Sequence, residues 1–329
     1  MIYPKALQHN SLIGVTAMAA VENRFENEFD LSLENIRKEG FRIVETADVR
    51  KNSYLYSPGD VRAAEVNSLV ENKNVAAIMC ASGGDFCLEI LPYIDLEKIK
   101  ENVKWFSGSS DPTSLLFYIT TKADIATLYG YNAGSFEQRM LHKSNKLFFE
   151  FLKGNIVRQE SYSLYEKNRE LRSLDRYNLD TKVFYENFNG DMDITGRLIG
   201  GCIDVLKDII GTKYDGTLEF VSKYKDDGII WYFDNFALSS ETLYLTLIQF
   251  REAGWFKYAK GIIIGRVLYS SSNFSDFSYQ EAIKRAISDI PVVFNADIGH
   301  VVPKMTLING AIAHVVVRDG KGYIDQELK

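Results

Sequence analysis

Four histidines make a short register of candidate bases. His9 lies in the N-terminal segment, His142 follows a leucine in a basic helical stretch, and His314 alternates with valines in AIAHVVV. His300 differs: it follows Asp297-Ile298-Gly299 directly after an apolar run, on a loop at a strand end. Binding and catalytic groups concentrate in such places, and an imidazole there can act as a general base once a nucleophile partners it. The candidate nucleophile lies in WFSGSSDPTSLL, residues 105–116. A strand pattern ends near Ser107, Gly108 permits a tight backbone, and Pro112 suits the first turn of a helix. Ser110 then sits on a sharp strand–turn–helix that exposes its hydroxyl beside helix N-terminal amides. The hydrolase pattern G-x-S-x-G is not met, because Gly108-Ser109-Ser110-Asp111-Pro112 ends in proline. Taken alone, the turn reads first as a plain helix cap made by Ser110 or Asp111. A triad also needs a carboxylate to orient the imidazole. Asp234, closing the apolar run IIWYF, is the best-placed acid, with Glu241 at a helix start as runner-up. Ser82-Gly83-Gly84-Asp85 follows another apolar run and offers either backbone N–H groups or an ordinary turn. It is not a nucleotide fingerprint, since neither G-x-G-x-x-G nor G-x-x-x-x-G-K-[ST] occurs.

These groups must be positioned by the elements around them. Leu12–Thr16, Phe41–Glu45, Val75–Cys80, Lys104–Ser107 and Ile125–Tyr129 read as strands. They alternate with helical spacing over Val21–Lys38, Asp60–Glu71 and Pro112–Lys122. Repeated βα units of this kind predict a parallel sheet covered by helices. Residues 151–189 mix charge with tyrosine and phenylalanine, and read as a crossover between domains or as a surface helix with loops. A second domain follows, with a helix expected over Leu198–Ile210, strands at Ile229–Phe233, Gly261–Val267, Val292–Phe294 and Ile312–Val317, and helices at Glu241–Glu252 and Gln280–Ser288. Strands dominate towards the end, so a smaller, β-rich, barrel-like unit is expected. The division is 1–150, 151–189 and 190–329.

The chain has 329 residues, 46% of them hydrophobic and 13% aromatic, enough to fill sizeable cores and to exclude a disordered chain. With 38 basic and 44 acidic side chains the net charge is −6, which argues against a nucleic-acid partner. The three cysteines form no C-x-x-C pair or zinc-ligand spacing, so neither a disulfide framework nor a metal site is implied. Leu12–Val21 is too short for a membrane span and lacks a basic flank, and a cytoplasmic protein is expected.

Six pieces in order resemble the LD-carboxypeptidase family of serine peptidases, which includes the microcin C resistance peptidases. They are VAAIMCASGGDFCLEILPYID at 75–95, KWFSGSSDPTSLL at 104–116, TGRLIGGCIDVLKDIIGTKYDG at 195–216, IIWYFDNF at 229–236, GWFKYAKGIIIGRV at 254–267 and DIGHVVPKMTLINGA at 297–311. The resemblance implies a flavodoxin- or Rossmann-like N-terminal unit, a smaller β-rich C-terminal one, and a homodimer. It also implies a Ser–His–acid triad without metal or cofactor. The family's Gly-Tyr-Ser-Asp-x-Thr turn falls on residues 108–113 and makes Ser110 the nucleophile; its histidine falls on His300, and its glutamate on Asp234, one methylene shorter. The oxyanion donors implied are the backbone N–H groups of Gly84 and Asp111. Ala81-Ser82 and GYNAGSF at 130–136 depart from the family pattern around the substrate.

The activity implied is removal of a terminal residue from a short peptide, such as a muropeptide losing D-alanine during peptidoglycan recycling. The alternatives are hydrolysis of a peptidyl-nucleotide of the microcin C type, a non-catalytic peptide-binding descendant, and a small-molecule esterase. Arginines within 158–176 are candidates for binding a substrate carboxylate or phosphate.

Overall fold

The computed structural model describes residues 1–19, 26–51, 57–168 and 173–329. Its contacts divide the chain into two compact units. The first comprises Met1–Ile156, Glu170–Asn178 and Thr306–Asn309; the second comprises Val157–Arg169, Leu179–Met305 and Gly310–Lys329.

The early strands are β1 (Leu12–Thr16), β2 (Arg42–Glu45), β3 (Val75–Cys80), β4 (Trp105–Gly108) and β5 (Thr127–Tyr129). The later ones are β6 (Gln159–Glu160), β7 (Leu164–Tyr165), β8 (Thr181–Lys182), β9 (Glu186–Phe188), β10 (Met192–Cys202), β11 (Ile229–Asp234), β12 (Ala259–Gly265), β13 (Val292–Ala296), β14 (Leu307–Asn309), β15 (Ile312–Arg318) and β16 (Lys321–Glu327).

Unit 1 is built on a six-stranded sheet in the order β14-β5-β4-β3-β1-β2. The pairs among β1 to β5 are parallel, and β14 adds antiparallel to β5. The continuous apolarity of VAAIMC in β3 suits a strand covered on both faces, and all but one of its residues are buried. Helices Glu26–Lys38, Gly59–Glu71 and Thr113–Tyr118 follow β1, β2 and β4. The helical pattern expected from Val21 begins at Glu26 among the described residues; residues 20–25 lie outside them. The helix expected over Asp60–Glu71 starts one residue earlier, at Gly59, with Pro58 at the cap position.

Unit 2 carries an eight-stranded mixed sheet in the order β6-β16-β15-β10-β11-β12-β13-β9, running from edge to edge rather than closing as a barrel. Strands β10 to β13 are parallel neighbours, as in unit 1, whereas the flanking pairs are antiparallel. Its core is aromatic. Trp231 stacks on Trp255 with ring centroids 5.3 Å apart, and Phe250 stacks on Trp255 at 4.2 Å.

One element differs in kind from the sequence reading. The helix expected over Leu198–Ile210 is strand up to Cys202 and helix only over Ile203–Ile209. The apolar spacing through 198–210 fits a helix, but Gly200 lies so close to β11 that a Cβ there would overlap the carbonyl of Tyr232. A backbone approach of that kind belongs to a sheet. The crossover 151–189 supplies the end of helix Lys143–Leu152 and short strands β6 to β9. Among the described residues no helix is long and apolar enough to cross a membrane.

Candidate active site

In unit 1 the chain leaves β4 at Gly108 and enters helix Thr113–Tyr118 through Ser109–Pro112. Ser110 has φ 69°, the left-handed region that non-glycine residues seldom occupy and in which strain marks functional turns. Three contacts hold it there. The Ser110 N–H donates to Tyr129 Oη at 3.2 Å, the Ser109 N–H donates to Asn132 Oδ1 at 2.9 Å, and the Thr113 N–H donates to the Ser110 carbonyl at 2.9 Å. Gly108 is required by the same turn, because a Cβ there would stand 2.7 Å from Pro112 Cβ.

The helix-cap alternative is not how Asp111 is used. Pro112 occupies the cap position and no side chain caps the helix. The Asp111 carboxylate instead accepts the Cys87 N–H at 2.7 Å and so tethers the loop that follows β3. Burial pushes its carboxyl up to about 6; the Cys87 N–H pulls it back, the Asp85 charge pushes the same way as burial, and Arg62 opposes. The loop also meets the serine: a Cβ on Gly83 would stand 3.2 Å from Ser110 Cβ and 3.3 Å from its Oγ. Ser110, Asp111 and the Gly83-Gly84 segment thus form one cluster within unit 1.

Unit 2 carries another. Asp234 ends β11 and is fully buried. His300 Nδ1 stands 2.8 Å from Asp234 Oδ2 and 3.0 Å from Oδ1, so an Nδ1–H bond leaves Nε2 as the acceptor. Gly299 makes this approach possible. Its φ is 101°, and a Cβ at that position would overlap the Asp234 carboxylate. Glu241 is not the histidine's partner; it accepts the N–H of Asn273 at 2.8 Å and the Ser272 hydroxyl at 2.9 Å.

Four residues that sequence reasoning passed over hold this pair. Asp297 is fully buried and accepts the Tyr162 N–H at 2.8 Å and the Tyr185 hydroxyl at 2.7 Å through Oδ2. Its other oxygen faces Arg266 Nη1 at 2.6 Å, an ion pair rather than a well-directed hydrogen bond. Burial raises the Asp297 carboxyl, and Arg266 does most to bring it back. Asp204 accepts the N–H groups of Phe236 at 2.9 Å and Ala237 at 3.0 Å, and the Phe236 ring then lies 4.5 Å from the His300 ring. Burial raises the Asp204 carboxyl as well, opposed by those two amides. A buried arginine closing an apolar strand, as in GIIIGR, is the sequence signal that would have exposed the first pair. Of the arginines proposed for substrate, Arg158 is engaged by Asp325 at 2.7 and 2.9 Å and lies over Tyr323, while Arg169 and Arg172 fall outside the described residues.

Two family profiles match the chain, the LD-carboxypeptidase N-terminal domain over residues 13–130 and the LD-carboxypeptidase C-terminal domain over 195–315. The chain belongs to the LD-carboxypeptidase family. A Vibrio cholerae relative, provisionally named a carboxypeptidase, is 25% identical over 93% of this chain and 92% of its own length. The Escherichia coli microcin C7 self-immunity protein MccF is 27% identical over 86% of this chain and 83% of its own. Among solved structures, a MccF-like protein of Bacillus anthracis superposes with a TM-score of 0.84 at 22% identity, covering 99% of this chain and 100% of that one. MccF in complex with aspartyl sulfamoyl adenosine gives 0.84 at 23% identity over 100% and 99%. These likenesses establish an α/β fold with a parallel N-terminal sheet and a second β-rich unit.

Proposed function

We propose that this LD-carboxypeptidase family member is a serine carboxypeptidase that hydrolyses the terminal amide of a short peptide through an acyl-enzyme. Ser110 is the nucleophile, His300 the general base and Asp234 the residue that orients it. The observation that carries the reading is the buried Asp234–His300 pair, set at a strand end with Nδ1 directed at the carboxylate. The left-handed Ser110 turn in unit 1 supports it as well.

Nε2 of His300 takes the Ser110 proton as Oγ bonds to the scissile carbonyl carbon. The negative charge that develops on the carbonyl oxygen is received by the backbone N–H groups of Gly84 and Asp111. Each such donor contributes about 3–4 kcal/mol in comparable sites. The protonated imidazole then gives its proton to the departing amine, and a water activated by the same nitrogen releases the acid and regenerates Ser110. Asp234 stabilises the imidazolium throughout. A muropeptide ending in D-alanine is the leading substrate, and the same reading has the protein act as a cytoplasmic homodimer in peptidoglycan recycling.

A second substrate reading, a peptidyl-nucleotide, is favoured by the resemblance to a microcin C7 self-immunity protein and to its complex with aspartyl sulfamoyl adenosine. The test is mass spectrometry of both compounds after incubation with the wild type and Ser110→Ala. D-alanine released by the wild type alone supports the carboxypeptidase reading. Cleavage of the adenylate alone moves the activity to the detoxifying branch, and binding of both without cleavage replaces catalysis with a peptide-binding role.

A further inference from the structure

Cys202 has no part in the reaction above. It is one of three buried cysteines, closes β10, and is set by the parallel register opposite Asp234. Its Sγ, a carboxylate oxygen of Asp234 and a ring nitrogen of His300 all lie within 4.8 Å of one another. Among the described residues this is the one such group of histidine, cysteine and acidic side chains.

We propose that Cys202, Asp234 and His300 form a binding site for a thiophilic divalent cation, zinc foremost, and that its occupancy switches the dyad off. The donor set decides the class of cation. Sulfur, nitrogen and oxygen together select zinc and its neighbours, whereas calcium and magnesium call for oxygen alone. Size agrees: with metal–ligand bonds of about 2.0–2.3 Å, tetrahedral donors stand roughly 3.3–3.7 Å apart. The nitrogen facing the carboxylate is Nδ1, now 2.8–3.0 Å from its oxygens, so that pair must open by about half an ångström, while the sulfur, within 4.8 Å of both, must settle at a similar spacing. Charge agrees as well. One thiolate, one carboxylate and a neutral imidazole cancel a divalent cation, so the ligand set and its metal together carry no net charge. The fourth position is left to water. Entry is from the histidine side, since its side chain is 16% exposed and that of Asp234 not at all.

The Cys202 thiol donates towards Asp204 Oδ2 at 3.6 Å. Burial and the charges of Asp234 and Asp204 push it well above the usual thiol range. On binding, the S–H bond breaks, the metal–sulfur bond forms, and the proton leaves to solvent. The imidazole keeps its single proton, which passes from Nδ1 to Nε2 as the metal takes Nδ1. With hydrogen on Nε2 the ring cannot accept the Ser110 proton. The binding half of this proposal stands by itself; the switching half rests on the catalytic reading.

The test is titration of the full chain with Co²⁺, followed by thiolate-to-cobalt charge-transfer absorption, with Zn²⁺ as competitor and a chelator to reverse it. One equivalent should develop the band in the wild type and in a Cys80→Ser, Cys87→Ser variant, and none should develop in Cys202→Ser. Cys202→Ala repeats the measurement should the serine variant fold poorly. A band that survives loss of Cys202, or no band in the wild type, overturns the site. For switching, Zn²⁺ should abolish turnover in the wild type, and Cys202→Ser should need at least about tenfold more; equal sensitivity overturns the switch. A band without turnover of any substrate keeps the site and removes the catalytic reading instead.

Discussion

The turn that carries Ser110 is fixed largely by neutral groups, whereas the turn that carries His300 is fixed by buried charge. Around the serine stand a tyrosine hydroxyl, an asparagine amide and a glycine packed on proline. Around the histidine stand Asp234, Asp297 and Arg266, all nearly or fully buried. A neutral hydrogen bond contributes about 0.5–1.5 kcal/mol, and leaving its buried partner unsatisfied costs about 1–3 kcal/mol. A buried charge left without its partner costs about 3–5 kcal/mol, because the survivor cannot reach water. The two turns should therefore fail differently, the first by degrees and the second abruptly.

Substitutions can break that contrast. On the catalytic reading, Asp234→Asn leaves the packing nearly intact but removes the charge that holds the imidazole tautomer. The rate of Ser110 phosphonylation by a fluorophosphonate should fall by about 10⁴-fold, followed as slower labelling of Ser110. Asp234→Glu should also lose activity, because Gly299 already packs against the carboxylate and leaves no room for another methylene. Next in size is Arg266→Ala, which strands Asp297. Denaturant unfolding should show a loss of about 3–5 kcal/mol, and a loss below 1 would mean that the ion pair does not carry the turn. Gly299→Ala should cost about 10²-fold in turnover, since the added methyl displaces the Asp234 carboxylate. A wild-type rate there would show that the loop yields freely.

The smallest effect sharpens the contrast from the serine side. Asp111 is the one charge in that turn, and its carboxyl is raised to about 6 from an ordinary value of 3.8. A raised carboxyl binds its proton more tightly folded than unfolded, so ionisation costs stability between about pH 4 and 6 and adds no further cost above. Thermal melts should therefore move in favour of Asp111→Asn, relative to the wild type, as pH rises through that window. The same variant tests the tether, because amide exchange at Cys87 should accelerate once the carboxylate is gone.

Much of this was legible in the sequence. Val75–Cys80 and Leu12–Thr16 occur where their apolar runs lie, because strands buried on both faces leave an unbroken signature. Ser110, Asp234 and His300 could be singled out by position at strand or turn ends. The supporting residues could not. Cys202 opposes Asp234 only through a strand register, and that strand carries a helical spacing of apolar residues. Arg266 and Asp297 are adjacent only once β12 and β13 are neighbours in a sheet. Phe236 reads as one aromatic residue among many until Asp204 folds its backbone over His300.

Strand β14 has a consequence for how the protein is made. It comes from residues 307–309, yet it completes the sheet of unit 1 by pairing with β5. A ribosome delivers the chain from its N-terminus at about 5–20 residues per second, so β5 waits roughly 10–40 s for its neighbour. During that interval it presents an unpaired edge to every other nascent chain nearby. The sheet of unit 1 thus cannot be finished until residues 307–309 have emerged, long after the rest of its strands.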